Sequence, residues 1–575
     1  PEDIADGFYF SNRYLNLAYN SDPDFAKKRE KISCSLEPVL TKLTYHKDNL
    51  HLSGYLFIPG QLSSSANEAI LHIIKYREEN IRYSCRADLR PLISNEKIFK
   101  IFHENDYRKF WQKRLLHFTC VIDLKSLKRF RGFFKFWIEY GGMIENIKNY
   151  YKSLLTNDHI YALDLSPFGK TIFTPYCYDA VDSWRLDIYT LNTFDWIRLK
   201  CLFKRYKKTP PRKDENTWLI GEYNNAARDN GLHFFKYVRK HHPQIKIYYV
   251  IYQDSPDRKN LHDSNVVFYG TYKHFKIAAK SKVLIFTHSS IYLVPKVNSI
   301  VNFNNKFKAF YNIFLEHGVI ATTPYALIYR KELREYDRFI VSSTFEKKIV
   351  CEHFGYNDDE VSVTGLARWD NLLKISRSTT DILIIPTWRN DLDKVSDQEF
   401  KQSKYFKFWN TLFSSKSFLN LLDEHRIQGK FFLHFGLSRF AECFSLSQHI
   451  NQVTSENIQE LLATCGLLIT DYSSVAFDVL YQEKPVIFCP FDYPEMLELR
   501  PGPKFIEYEK DLPGPICSTV ESIVQQIIRC INNDFQIEDR YRERLKTFFD
   551  HVDRNNCRRI YENIADILQK NSSEY

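Results

Sequence analysis

At 575 residues the chain exceeds the size at which one hydrophobic core keeps growing, so two to four domains are expected. Charged residues at 26% and hydrophobic ones at 44% exclude wholesale disorder and fit a soluble globular class. A formal net charge of +10, spread along the chain with no arginine-rich arm, argues against a nucleic-acid partner.

Residues 1–150 alternate apolar and polar side chains in short runs at 50–58 (LHLSGYLFI), 69–76 (AILHIIKY) and 117–124 (HFTCVIDL). Period-two alternation bounded by turn residues reads as strands, so 1–150 is expected to be a small β-rich domain. Residues 151–213 read as a helical connector, with its helix at 183–203, entering a basic linker at 204–213 (KRYKKTPPRK). That run is either a solvated face or a site of attraction to anionic lipid or polymer.

From Trp218 strands and helices alternate. Strands are expected at 218–221, 246–252, 283–286 and 338–342, with Asp229 capping a helix over 231–241. A second series has strands at 381–386, 430–433, 467–470 and 485–488, a helix at 458–464, and helices again from about 520. Such a rhythm predicts an α/β fold of two doubly wound parallel lobes, over 214–375 and 376–575.

In open parallel sheets ligands bind beyond the carboxyl ends of the strands, and polar clusters sit at those positions here. Glu316-His317-Gly318 offers an imidazole able to act as a base near neutral pH, with Gly318 permitting close backbone approach. Thr387, Arg389 and Asn390 follow the strand DILII; Arg389 is either a surface ion-pair partner or a bidentate phosphate ligand. His434 follows KFFL. Asp471-Tyr472-Ser473-Ser474 interrupts LLIT before a helix start, where Asp471 and the serines are either plain caps or a corner that grips phosphate.

Twelve cysteines without a C-x-x-C pair fit neither a zinc ribbon nor a disulfide scaffold. No Walker A loop, dinucleotide fingerprint or G-x-S-x-G elbow occurs, and the pair Asp391 and Asp393 makes a poor metal site. With no signal pattern and no apolar run of membrane-spanning length, the expected location is the cytoplasm.

The segment ITDYSSVAFDVLYQEKPVIFCPFDYPEM (469–496) resembles the hallmark of the CDP-glycerol glycerophosphotransferases, the teichoic-acid polymerase family. ARDNGLHFFKYVRKHHP (227–243), EHGV (316–319), TGLARWDNL (364–372) and PTWRND (386–391) match in order, so the resemblance covers roughly 218–549. It implies a GT-B fold behind a β-rich N-terminal domain, with acceptor entering on the 214–375 side and CDP-polyol donor held on the 376–575 side. It implies His317 as base and His434 as second functional histidine, with Gly318, Thr387, Arg389, Asn390, Asp471, Ser473 and Ser474 around the donor. Two departures stand out: Glu316 where the family often has tryptophan, and Phe435 where proline commonly follows the second histidine.

The implied reaction moves glycerol phosphate or ribitol phosphate from a CDP-activated donor to a hydroxyl of a growing teichoic-acid or capsular polymer, releasing CMP. Neither cofactor nor metal is expected. The implied partners are the CDP-polyol, a lipid-linked polyol-phosphate acceptor and the anionic inner face of a bacterial membrane. A GT-B glycosyltransferase using a nucleotide sugar and a non-catalytic glycopolymer-binding scaffold are the competing readings.

Overall fold

The structure, a computed structural model, describes residues 37–572 apart from 47, 58–68, 76–77, 92–114, 128–129, 131, 142, 148–160, 166–168, 179–182, 210–212, 263, 295–309, 323–328, 333, 375–378, 390, 393–394, 455–457 and 500–503. The chain divides into two compact units, one of Pro1–Pro211, Gly270–Ala279 and Pro295–Lys308, the other of Arg212–Tyr269, Lys280–Val294 and Ala309–Tyr575.

The first unit holds a ten-stranded sheet of β1 (Glu37–His46), β2 (Asn49–Phe57), β3 (Ala69–Lys75), β4 (Glu78–Pro91), β5 (Leu115–Asp123), β6 (Gly132–Tyr140), β7 (Met143–Asn146), β8 (Tyr161–Leu165), β9 (Gly169–Tyr178) and β10 (Ser183–Asn192). Its order is β1-β2-β5-β4-β3-β6-β10-β9-β8, with β7 beside β6. Alternation does the work: Phe134, Phe136 and Ile138 of β6 are buried together on one face, with Leu71 and Ile73 of β3 beside them in the same core. Residues 183–192, expected as the start of a helix, form β10, which pairs along its whole length with β9. The helix begins only after it, as α1 (Thr193–Lys208), where the Asn192 side chain accepts from the Asp195 amide at 2.7 Å.

The second unit holds two wholly parallel sheets. One comprises β11 (Asp214–Gly221), β12 (Lys246–Ile251), β13 (Val266–Phe268), β14 (Ser281–Phe286), β15 (Tyr311–Phe314), β16 (Arg338–Val341) and β17 (Val361–Val363), in the order β13-β12-β11-β14-β15-β16-β17. The other comprises β18 (Ile382–Ile385), β19 (Gly429–Phe432), β20 (Ile450–Val453), β21 (Leu467–Thr470) and β22 (Val486–Phe488), in the order β20-β19-β18-β21-β22. Strands buried along their whole length, such as ILII of β18 and LLIT of β21, are what a sheet covered on both faces requires.

Strand order reverses at β11/β14 in one sheet and at β18/β21 in the other, which makes these the two switch points where ligands bind in open α/β sheets. Four helices position the residues discussed below: α2 (Asn230–His241), α3 (Thr344–Phe354), α4 (Trp369–Leu372) and α5 (Ala476–Leu480). A last helix, α6 (Asn556–Ser572), returns to the core of the seven-stranded parallel sheet through Ile560, Ile564 and Ile567. Among the described residues no helix is long and apolar enough to cross a membrane.

Candidate active site

The loop after β15 is held in an unusual backbone shape. Glu316 lies at φ 53°, in the left-handed region that L side chains seldom occupy. Three tethers hold the loop there: Asn230 Nδ2 donates to the Glu316 carbonyl at 2.7 Å, Arg368 Nη1 to the His317 carbonyl at 2.9 Å, and the Ile320 amide to Glu346 Oε1 at 2.6 Å. Burial pushes the Glu346 carboxyl up to about 7, against the hydrogen bonds from Ser342 and Ile320.

In this shape the Glu316 carboxylate is buried beneath its neighbour's ring. Its Oε1 accepts from the His317 amide at 2.9 Å and lies 2.6 Å from Nδ1, while Oε2 is buried with no hydrogen-bond partner among the described residues. The contact puts the neutral ring's proton on Nδ1 and leaves the Nε2 lone pair for an incoming group. The His317 side chain is 43% exposed. Burial lowers the affinity of His317 for a proton, but the Glu316 charge and hydrogen bond outweigh it, and the pKa stands above the ordinary histidine value. The ring stacks on His288, 4.9 Å between centroids, and His288 in turn packs against Tyr223.

Gly318 meets the second sheet. A Cβ there would fall 2.4 Å from Ser474 Oγ, so only glycine allows the loop after β15 to abut the corner after β21. One guanidinium locks the same junction. Arg368, 4% exposed, donates through Nε and Nη2 to both oxygens of Asp478 on α5 at 2.7 and 2.9 Å, and through Nη1 to Asp229, the cap of α2, at 2.9 Å. The loop carrying His317, the start of α2 and the helix after the corner thus share a single cation.

A family model described as CDP-Glycerol:Poly(glycerophosphate) glycerophosphotransferase matches residues 202–566. The chain belongs to this family. It is 29% identical over 367 residues to the minor teichoic acid biosynthesis protein GgaB of Bacillus subtilis, a match covering 61% of this chain and 40% of that protein. It is 26% identical over 251 residues to a teichoic acid poly(ribitol-phosphate) polymerase of Bacillus spizizenii, covering 41% of this chain and 38% of the other. The chain therefore spans about 40% of the length of these two relatives. Among solved structures, that of the wall teichoic acid polymerase TagF aligns over 64% of this chain and 94% of its own at 18% identity and a TM-score of 0.47.

Seen against the family's motif set, the expected donor residues separate into two layers. Arg389 does not face a ligand: it is 2% exposed, with Nε and Nη2 on Asp492 at 3.0–3.1 Å, Nη2 on Asp471 at 2.8 Å and Nη1 on the Thr387 carbonyl at 2.8 Å. Its fork is filled by carboxylates, so the phosphate grip expected of it gives way to a brace beneath the corner. Asp471 is likewise fully buried, accepting from the Thr387 and Tyr472 amides at 2.7 and 2.8 Å. Thr387 Oγ1 takes a further bond from the Tyr472 amide at 3.2 Å.

Ser473 and Ser474 remain half-buried at the surface of the corner. Neither caps α5 through its side chain as expected; the cap position is Val475, and the serine carbonyls accept from the Ala476 and Phe477 amides instead. His434, half-buried after β19, accepts the Gly436 amide on Nδ1 at 3.2 Å, which leaves a proton on Nε2, and its ring stacks on Trp388 at 5.6 Å. Asn390, and with it Asp393 of the carboxylate pair, lies outside the described residues.

The sequence motifs contain Arg368 and Asp478 without marking a role for either, and mark Asp229 only as a helix cap. The clasp joins positions 110 residues apart, a pairing that no local pattern signals.

Proposed function

We propose that the chain is a GT-B polyol-phosphate transferase that moves glycerol phosphate or ribitol phosphate from a CDP-activated donor to a hydroxyl of a growing teichoic-acid or capsular polymer. The observation that carries this reading is the approach of Gly318 to Ser474, through which the loop bearing His317 abuts the corner after β21. Lobe 214–375 takes the acceptor and lobe 376–575 the CDP-polyol.

In the reaction His317 Nε2 takes the proton of the acceptor hydroxyl, whose oxygen bonds to the phosphorus nearest the polyol as the P–O bond to CMP breaks. Charge grows on the departing phosphate. The Nε2–H of His434 and the amides and hydroxyls of Ser473 and Ser474 are the groups suited to receive it, and such preorganised donors act most strongly where water is scarce. Thr387 belongs to this rim. Arg389 and Asp471 act one layer behind, fixing the backbone on which the rim stands.

The same reading has the protein bound peripherally at the inner face of a membrane. α1 supports it: Phe194 is 62% and Ile197 50% exposed on a helix that also carries Arg198, Lys200, Lys204 and Arg205. Purified protein given CDP-glycerol, CDP-ribitol and a primed acceptor is expected to release CMP and add polyol-phosphate mass to the acceptor. A glycosidic product from a nucleotide-sugar panel selects the glycosyltransferase reading. No release and no donor-dependent thermal shift with any of them overturns the proposal in favour of a scaffold.

A further inference from the structure

Along α2, away from the loop that carries His317, lies a second feature that the transfer step leaves unused. A cavity of about 240 Å³ is lined by His233, Lys236, Lys240 and His241 of α2 and by Lys374 beyond α4. Lys236, Lys240 and Lys374 form no ion pair among the described residues. The one carboxylate in the lining, Asp370, is already committed: Oδ1 accepts from the Asn556 amide and Nδ2, and Oδ2 from the Cys557 amide, each at 2.9 Å. Three ammonium groups and two imidazoles therefore share one hollow with a single carboxylate, which is turned to neutral amides, so positive charge is in excess. The local potential is felt within it: burial, with Lys236, Arg368 and Lys374 adding to it, pushes His233 down to about 3.

The position is connected to the reaction site. Asn230 at the start of α2 bonds the Glu316 carbonyl, and Arg368, next to the cavity-lining Ala367, bonds the His317 carbonyl. From Asn230 to Lys240 the helix rises about 15 Å, with Lys236 and Lys240 about 6 Å apart along it. Lysines are compact charges without the directional fork of arginine, so they hold a chain of phosphates without fixing its register.

We propose that this cavity is a tract for the polyanionic polymer, holding phosphodiesters of the acceptor chain behind its reacting end. The inference rests on the polymer-extending reading above and names where the extended product lies. A concave hollow suits a strand better than a flat bilayer, and among the described residues none of the exposed large apolar side chains, Ile70, Val121, Phe194, Ile197 and Val552, lines it.

The test uses the whole chain, an end-labelled oligomer of about ten glycerol-phosphate units and no donor, and reads anisotropy against salt for wild type and for Lys236→Glu/Lys240→Glu/Lys374→Glu. The oligomer is expected to bind, and the variant to bind about tenfold or more weaker with a shallower salt dependence and an unchanged Tm. In CMP-release assays the loss in kcat/KM on that oligomer should exceed the loss on a one-unit acceptor. Equal oligomer affinity in variant and wild type overturns the tract, as does a variant defect confined to binding of phosphatidylglycerol vesicles, which would assign the surface to lipid. Binding needs no donor, so a chain that never releases CMP refutes the transferase reading while the anisotropy still decides the tract.

Discussion

Replacing Arg368 by methionine removes a guanidinium held between two carboxylates and a carbonyl. Asp478, 1% exposed, loses its bidentate partner and keeps only the Trp369 indole at 2.8 Å; Asp229 and the His317 carbonyl lose one donor each. Stranding a buried charge in this way costs about 3–5 kcal/mol. For a unit of roughly 340 residues, an unfolding entropy of about 2.1 cal/mol/K per residue turns that into a Tm about 4–7 °C lower. A second substitution separates stability from function. In Arg368→Met/Asp478→Leu the stranded charge is gone, so about 0.5–3 kcal/mol should return. Activity should not return with it, because the loop carrying His317 still lacks its tether. Thermal melts and CMP-release kinetics on wild type, single and double variants read both quantities. A single variant melting within about 1 °C of wild type with intact kcat/KM would refute the clasp.

Three further outcomes follow from the same geometry. Glu316→Gln keeps the side chain's shape and removes the charge that raises the His317 pKa, so the acid limb of the kcat/KM profile should move to lower pH while kcat falls about 10- to 100-fold; an unmoved limb contradicts the pairing. Gly318→Ala forces a methyl group against Ser474 Oγ and should cost about 1–3 kcal/mol together with most of the activity, measured by denaturant unfolding and turnover. If His434 donates to the leaving group as proposed, His434→Ala should lower kcat about 10²-fold; a change in acceptor KM alone would move that residue out of the donor site.

Where the sequence was legible, one physical signal dominated. Continuous apolar runs such as ILII and LLIT have one reading, a strand covered on both faces, and Asp229 before an amphipathic stretch has one reading as a cap; both appear as expected. SWRLDIYTLN was misread because it runs without a turn residue into a genuine helix, so two periods merged in one window. Arg389 was expected as an ion-pair partner or a phosphate ligand, and its fork is on Asp471 and Asp492. Its partner Asp492 lies 103 residues away, and only the fold reveals that the fork is already occupied. Glu316 beside His317 was visible as a departure from the family pattern, yet its role depends on a left-handed backbone that the letters do not encode.

The central claim is that one imidazole, acting through Nε2, deprotonates an acceptor over a donor held by the neighbouring corner. Comparing His317→Asn with wild type for CDP-polyol affinity and single-turnover CMP release tests it most directly. The account predicts donor affinity within about twofold of wild type and release slowed by about 10²- to 10⁴-fold. Release at the wild-type rate would contradict it.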